Sequence, residues 1–470
     1  CSAWAVETPD GVTTLDEAQS WAEAYLDEGP SLLSADEGQT GWELLDLGGS
    51  SWDLQAVSAD TSWYSSGASS YTITSGSQLA GLAELVNSGV TFEGKTVTLG
   101  GDIVFIHAEL TPIGGEGGAF NGTFDGAGHT IRGYSITSTA DTGERATNIA
   151  LFGECGEKSL VNNVNVSGAS ITVHRSASSS QAVSNVAALV AISKGSVENC
   201  TVDATIDVAV DTPQTDTLKC VMSRIGGMAA NVYGNVKNCE FSGSVKAITN
   251  TAGSDGTDGN GRSPGLVVAK NIGGVVAYLG DPAKEEVVGG KGHGEISNCV
   301  FSGSILSQSP CEAGTDRFGE AISAKTEGVG GIAGFSLGSI YDSVCKGSVV
   351  GDQATMTGGI AGALRGLSMG GAGDTTEIDY GSADDVLYVK RCTTEKSAQV
   401  TGLHAGGGIV GSAGSYTVVT ECANAANVTV NRWNKPSGGG VVGQSHGTVS
   451  FSSNTGTVKT ATGGGYYVAG

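Results

Sequence analysis

The sequence predicts an all-β fold, a β-solenoid of about ten coils. Three observations predict it. Glycine is abundant, 76 of 470 residues, while proline is scarce at 8. Two short glycine-containing motifs alternate from residue 150 to the end of the chain. Their spacing is irregular, as expected of a small stacking unit that accepts insertions.

The first motif is Gly-Gly, an aliphatic residue, a small residue or valine, then a small residue. It stands at 226–230 (GGMAA), 273–277 (GGVVA), 330–334 and 358–362 (both GGIAG), 407–411 (GGIVG) and 439–443 (GGVVG). Residues 148–153 and 187–192 are degenerate early copies, and GGGYYVAG (463–470) opens another. The second motif is Gly-x-aliphatic-x-Asn-Cys-x-x-x-Gly-x-aliphatic, clearest in GNVKNCEFSGSV (234–245) and GEISNCVFSGSI (294–305). The copies imply a base unit of roughly 22–28 residues, about three short strands per turn. Glycine is expected to supply the φ > 0 positions at the bends. Aliphatic residues alternate with Ser, Thr, Asp and Lys, which places the former inside and the latter outside.

Aligning the second motif puts Cys200, Cys239, Cys299, Ser343, Cys422 and Ser452 in one slot, with Asn163 and Cys392 sharing it. In a parallel coil, such residues stack about 4.8 Å apart. The thiols are read as a buried small-residue ladder rather than a redox or metal site, and no disulfide is expected among them.

Upstream of the repeats, two helices are expected. Residues 13–28 have helical composition, with Thr14 as N-cap and Glu17 three residues on. Residues 75–89 start at Ser75 or Ser77, present Leu79, Leu82, Leu85 and Val86 on one face, and stop at Gly89. This second helix is expected to cap the open end of the solenoid. Residues 95–99, 102–106 and 120–131 read as short strands.

Four segments result. Residues 1–5, ending Ala3-Trp4-Ala5, are read as a signal-peptide remnant, with Cys1 as a lipoprotein cysteine the alternative. Residues 6–70 form an acidic arm, partly helical or disordered, with 29–70 as spacer. Residues 71–150 form the cap and first coils. Residues 151–470 carry the repeats, cut short at the C-terminus.

Charge narrows the partners. The 24 Lys and Arg against 48 Asp and Glu give −24, and the first basic residue is Lys95. Such a chain is not expected to coat nucleic acid or an anionic membrane. No apolar run reaches the length of a membrane span.

These motifs resemble the GLUG-type repeats of bacterial surface proteins. QLAGLAELVNSGVTFEGKTVTLGGDI, TPIG (111–114) and FNGTFDGAGHTI are similar to that family's first coils, so the resemblance covers residues 71–470. It implies a right-handed parallel β-helix of the pectin-lyase-like group. It further implies a secreted or surface-displayed adhesin-like protein that meets a host or matrix glycan or protein. The family also occurs beside the catalytic part of some immunoglobulin-cleaving metallopeptidases, but this chain has no HExxH motif. The family motif carries no catalytic residue. Long insertions at 246–270, 280–293, 306–328 and 363–385 depart from the pattern.

The alternative reading is a polysaccharide lyase or glycoside hydrolase, which needs a base or a pair of carboxylates. Its candidates are Asp102, His107, Asp125 and His129, although Phe124-Asp125-Gly126 also suits an ordinary turn. Asp255, Asp258 and Asn260 lie in a polar loop that could hold Ca²⁺ through oxygens, without the EF-hand spacing. No other cofactor is expected.

Overall fold

The computed structural model describes residues 6–7, 9, 11–28, 40–48, 51–115, 117–139, 146–176, 182–213, 221–252, 268–269, 271–280, 294–308, 314–315, 321–322, 326–352, 354–365, 382–431, 437–460 and 467–469. Asp255, Asp258 and Asn260 lie outside them.

Four long sheets run along the molecule, of eleven, nineteen, eight and ten strands among the described residues. Successive coils pair in parallel throughout the repeats. One coil shows the path. Thr326–Gly330 belongs to the ten-stranded sheet and Ala333–Ser336 to the eight-stranded one. Ser339–Tyr341 joins the eleven-stranded sheet, and Val344–Cys345 and Ser348–Gly351 join the nineteen-stranded one. The chain then enters the next coil at Ala354. Eleven strands in one sheet place the coil number close to the expected ten. The repeat length agrees with the expected 22–28 in the shortest coils, 26 residues from Tyr71 to Val97 and 28 from Ala333 to Ala361, while the coil from Thr420 to Ser450 takes 30.

The core is a set of columns. In the eleven-stranded sheet Val161 aligns with Val197, Val236, Ile296, Ile340, Val389 and Val419, and all are buried. The column continues upstream through Phe124 and Val97 to Tyr71. Each coil thus buries its aliphatic residues against identical neighbours above and below.

Glycine acts differently from expectation. No Gly-Gly repeat glycine among the described residues has positive φ. These glycines lie where backbones touch. A Cβ on Gly362 would stand 2.4 Å from the Val329 nitrogen, and one on Gly411 2.6 Å from the Thr357 nitrogen. The ten- and eight-stranded sheets therefore pack face to face with almost nothing between them. Ala187 and Ala191 occupy the equivalent slots one coil before Gly226 and Ala230, so the first coils carry methyl groups where later ones carry none.

Residues 40–48 and 51–70, expected to be spacer, hold ordered strands; 29–39 lie outside the described residues. Helix α1, Leu15–Glu28, follows the expected box: Thr14 Oγ1 accepts from Glu17 N at 3.3 Å, and Glu17 Oε2 accepts from Thr14 N at 3.0 Å. Trp42–Asp46 and Trp52–Ala56 then form an antiparallel hairpin. Its first strand pairs antiparallel with Ile103–Glu109, a solenoid strand, and so covers an edge that would otherwise stay unpaired. Trp42, Leu44, Trp52 and Leu54 bury against Ala18, Ala22, Val104 and Ile106. The strand Ile103–Glu109 is consequently apolar on both faces, Val104 and Ile106 in the cluster with α1 and the hairpin, Ile103 and Phe105 in the main core.

Helix α2, Gly76–Asn87, is N-capped by Ser75, whose Oγ accepts from Gln78 N at 3.2 Å. Its buried Leu79, Leu82, Ala83 and Val86 join the main core, beside the aromatic group Trp63, Tyr71, Phe92 and Phe120. Glu43, buried in the hairpin, accepts from Ser77 Oγ at 2.6 Å and from the backbone nitrogens of Gly76 and Ser77 at the first turn of α2. Burial raises its pKa, and these hydrogen bonds pull the other way.

Candidate functional site

The repeated corner between the eleven- and nineteen-stranded sheets concentrates the distinctive chemistry. One residue after the strand, Asn163, Asn199, Asn238, Asn298, Asp342, Arg391, Glu421 and Phe451 all have φ between 48° and 59°. This left-handed conformation disfavours most L-residues, and Asn and Asp tolerate it best. The amides then bond up the stack. Asn199 Nδ2 donates to Asn162 Oδ1 at 2.8 Å, Asn238 Nδ2 to Asn199 Oδ1 at 2.9 Å, and Asn298 Nδ2 to Asn238 Oδ1 at 2.8 Å. Two coils later Arg391 takes over with a bidentate pair to Asp342, at 2.6 and 2.7 Å.

The next residue is the expected cysteine slot. The nitrogens of Glu240, Val300 and Val344 donate to the carbonyls of Cys200, Cys239 and Cys299 at 2.8–2.9 Å, and those of Thr393 and Ala423 to Ser343 and Cys392. Cys422 and Ser452 follow, with Cys422 N donating to Ser452 Oγ at 3.1 Å. Asn163 is misplaced by the sequence alignment. The Thr201 nitrogen donates to Val164 O at 3.0 Å, so Val164 fills the slot and Asn163 occupies the left-handed corner. The seven described cysteines are free and buried. The neighbouring Cys239 thiol and burial push Cys200 and Cys299 up, and burial pushes Cys345 up to about 12. Hydrogen bonds from neighbouring thiols pull Cys239 and Cys422 the other way, but all seven are buried, and a thiol without access is a poor nucleophile. They act as small apolar fillers that also donate to carbonyls, as Cys239 does to Lys237 O at 3.1 Å.

The polysaccharidase candidates divide. Asp102 and His129 meet: His129 Nδ1 lies 3.3 Å from Asp102 Oδ1, and Asp102 also accepts from Thr130 N at 2.9 Å. Asp125 instead closes its own turn, accepting from Ala127 N at 2.9 Å and from Asn163 Nδ2 at 3.1 Å. It is thus the first rung below the amide ladder. His107 belongs to neither group; its Nε2 lies 3.9 Å from Asp27 Oδ1. Among the described residues no group of three or more His, Cys, Asp or Glu is placed to hold a metal ion, and no helix is long and apolar enough to cross a membrane.

The corner asparagines and the hairpin glutamate Glu43 escape the sequence reading. The asparagines stand in the motif itself, immediately before each cysteine, and their repetition was a usable signal. Glu43 becomes visible only once the hairpin is seen.

No protein-family profile matches the sequence, and no curated protein matches it. Among solved structures the chain is similar to one described as a "putative immunoglobulin A1 protease from Bacteroides ovatus". The identity is 14%, the match covers 85% of this chain and 84% of that one, and the TM-score is 0.32.

Proposed function

We propose that this chain is a stiff, adhesin-like display segment of a secreted or surface-exposed bacterial protein, built of GLUG-type coils. The observation that carries the reading is the unbroken register of the columns from Tyr71 to Val419. Described coils hydrogen-bond to the next through their backbones, with amide rungs in the early coils and thiol rungs where a cysteine fills the slot. At about 4.8 Å per coil, eleven strands make a rod about 50 Å long. The winding is taken as right-handed, the hand that parallel crossovers overwhelmingly adopt, with α2 closing the N-terminal end. Insertions between coils would present the contact surface to a glycan or protein ligand.

The experiment is to incubate the whole chain with a panel of polysaccharides and matrix proteins and measure both retention and cleavage. Retention without release of reducing or unsaturated ends supports display. Cleavage that disappears in Asp102→Asn or His129→Ala would replace it with a polysaccharidase.

A further inference from the structure

One column of the core brings thiols into contact with each other. In chain order the slot after the left-handed corner holds Val164, Cys200, Cys239, Cys299, Ser343, Cys392, Cys422 and Ser452. Cysteine therefore occurs as a run of three and a run of two, each closed by serine. Glu240 N donates to Cys200 O, Val300 N to Cys239 O and Ala423 N to Cys392 O, at 2.8–3.1 Å. Members of a run thus sit one coil apart in register, about 4.8 Å. That separation lies within the range a disulfide spans, and side chains buried in one column do not point apart.

The sulfurs already meet. Cys239 shares thiol hydrogen bonds with Cys200 on one side and Cys299 on the other, and Cys392 shares one with Cys422. The other two described cysteines have no cysteine beside them in their columns. Cys345 lies between Phe301 and Thr394, and Cys155 between Phe120 and Ser193. Both are as buried as the column thiols, which makes them internal controls.

We propose that coil-to-coil disulfides form in this column when the chain folds in contact with a disulfide oxidant: Cys239 with Cys200 or Cys299, and Cys392 with Cys422. Burial sets the timing. A stacked coil hides its thiol, but a solenoid grows by adding coil to coil, and Cys239 stays open until the coil of Cys299 stacks on it. The thiol hydrogen bonds that Cys239 and Cys422 receive favour their thiolates, the attacking form. The Cys239 thiolate attacks one sulfur of the oxidant, forms a mixed disulfide and releases the oxidant's other half as a thiolate. The thiolate of Cys200 or Cys299 then attacks the Cys239 sulfur and releases the second half. Two protein thiols give up two protons and two electrons; the oxidant, a small-molecule or protein disulfide, takes them up as two thiols. A run of three holds one such link and keeps one thiol free. Cys299 and Cys392 lie two coils apart with Ser343 between them, beyond disulfide reach. Each link staples coils that are otherwise joined without covalent bonds. The inference rests on the register alone and stands apart from the display reading.

The test uses the whole chain with Cys1, Cys220 and Cys311, which lie outside the described residues, changed to Ser. Preparations made in an oxidising and in a reducing compartment are alkylated under denaturation and mapped by mass spectrometry. The oxidised one should show Cys239 linked to Cys200 or Cys299, and Cys392 linked to Cys422. Cys155 and Cys345 should be alkylated in both. Cys239→Ser should remove every link of the first run and leave Cys392–Cys422; Cys422→Ser should do the reverse. Serine already fills this slot at 343 and 452, so both variants keep a native occupant. Should circular dichroism show the oxidised preparation to be unfolded, folding the reduced chain from denaturant with oxidised glutathione carries the test. Free column thiols in a folded oxidised chain, or links through Cys155 or Cys345, would overturn the proposal.

Discussion

The early and late coils share a backbone and differ in what fills it. In one interior column Val202 aligns with Phe241, Phe301, Cys345, Thr394, Asn424 and Asn454. The early members are apolar; Phe241 and Phe301 stack with centroids 6.3 Å apart and rings within 2° of parallel. Thr394 and Asn424 are polar and still buried, and Asn454 at the far end is half-buried. Asn424 bonds to Thr394 Oγ1, to Asn454 Oδ1 at 2.7 Å and to Ala426 O at 3.1 Å. The corner column changes in the same direction, from amide rungs to the Arg391–Asp342 pair. A slot in this fold therefore tolerates changes of size and polarity, provided that its buried polar groups find hydrogen-bond partners. The glycine contacts between the ten- and eight-stranded sheets admit no such freedom in the late coils.

That difference sets the order of expected effects. Gly362→Val should cost about 3 kcal/mol or more, because backbone rather than a side chain blocks the new atoms. Ala191→Gly, at the matching slot of an early coil, should cost only about 1 kcal/mol. Thermal unfolding of the two variants side by side checks the contrast, and equal losses would break it. Phe301→Ala should cost about 3–5 kcal/mol, measured by denaturant titration. Asn424→Ala should cost less, about 1–3 kcal/mol, by leaving the Thr394 hydroxyl and the Ala426 carbonyl without their buried partner.

The corner column yields the smallest and most diagnostic effect. Hydrogen bonds from Arg391 hold the Asp342 carboxyl below its ordinary value of 3.8. A depressed folded pKa stabilises the fold above the unfolded value, and that contribution disappears as pH falls through the folded one. Both side chains are near half exposed, so the effect is modest and screened by salt. Asp342→Asn should therefore narrow the gap to wild type as pH drops below 3.8, whereas Asn238→Ala should show a loss independent of pH in that window. Melting curves from pH 3 to 7 separate them.

Much of this was legible in the sequence, for definite reasons. The Asn-Cys and Gly-Gly motifs repeat because each coil solves the same packing problem, so the solenoid, the cysteine column and both helices could be read directly. The role of the glycines could not. Glycine at a positive-φ bend and glycine under a neighbouring backbone look alike in one dimension, and here the bends were given to Asn, Asp, Arg, Glu and Phe. Asn163 was misassigned because Asn162 and Asn163 are adjacent and Val164 breaks the Asn-Cys pattern. The hairpin escaped because WELLD and WDLQA are short and acidic, and their meaning depends on a partner strand about fifty residues away. The bulge at His107 was out of reach as well, because a lone histidine in an apolar strand gives no sign of a register shift.

In-register stacking is most directly tested by cross-linking. Lys237 and Ser297 are outward register partners on consecutive coils, at a separation of about 4.8 Å that suits a disulfide. In the double variant Lys237→Cys with Ser297→Cys, oxidation followed by peptide mapping should yield that link in high proportion. The companion pair Lys237→Cys with Thr420→Cys, three coils further along the same column, should yield none. Equal linking of both pairs, or of neither, would contradict the stacked-coil account.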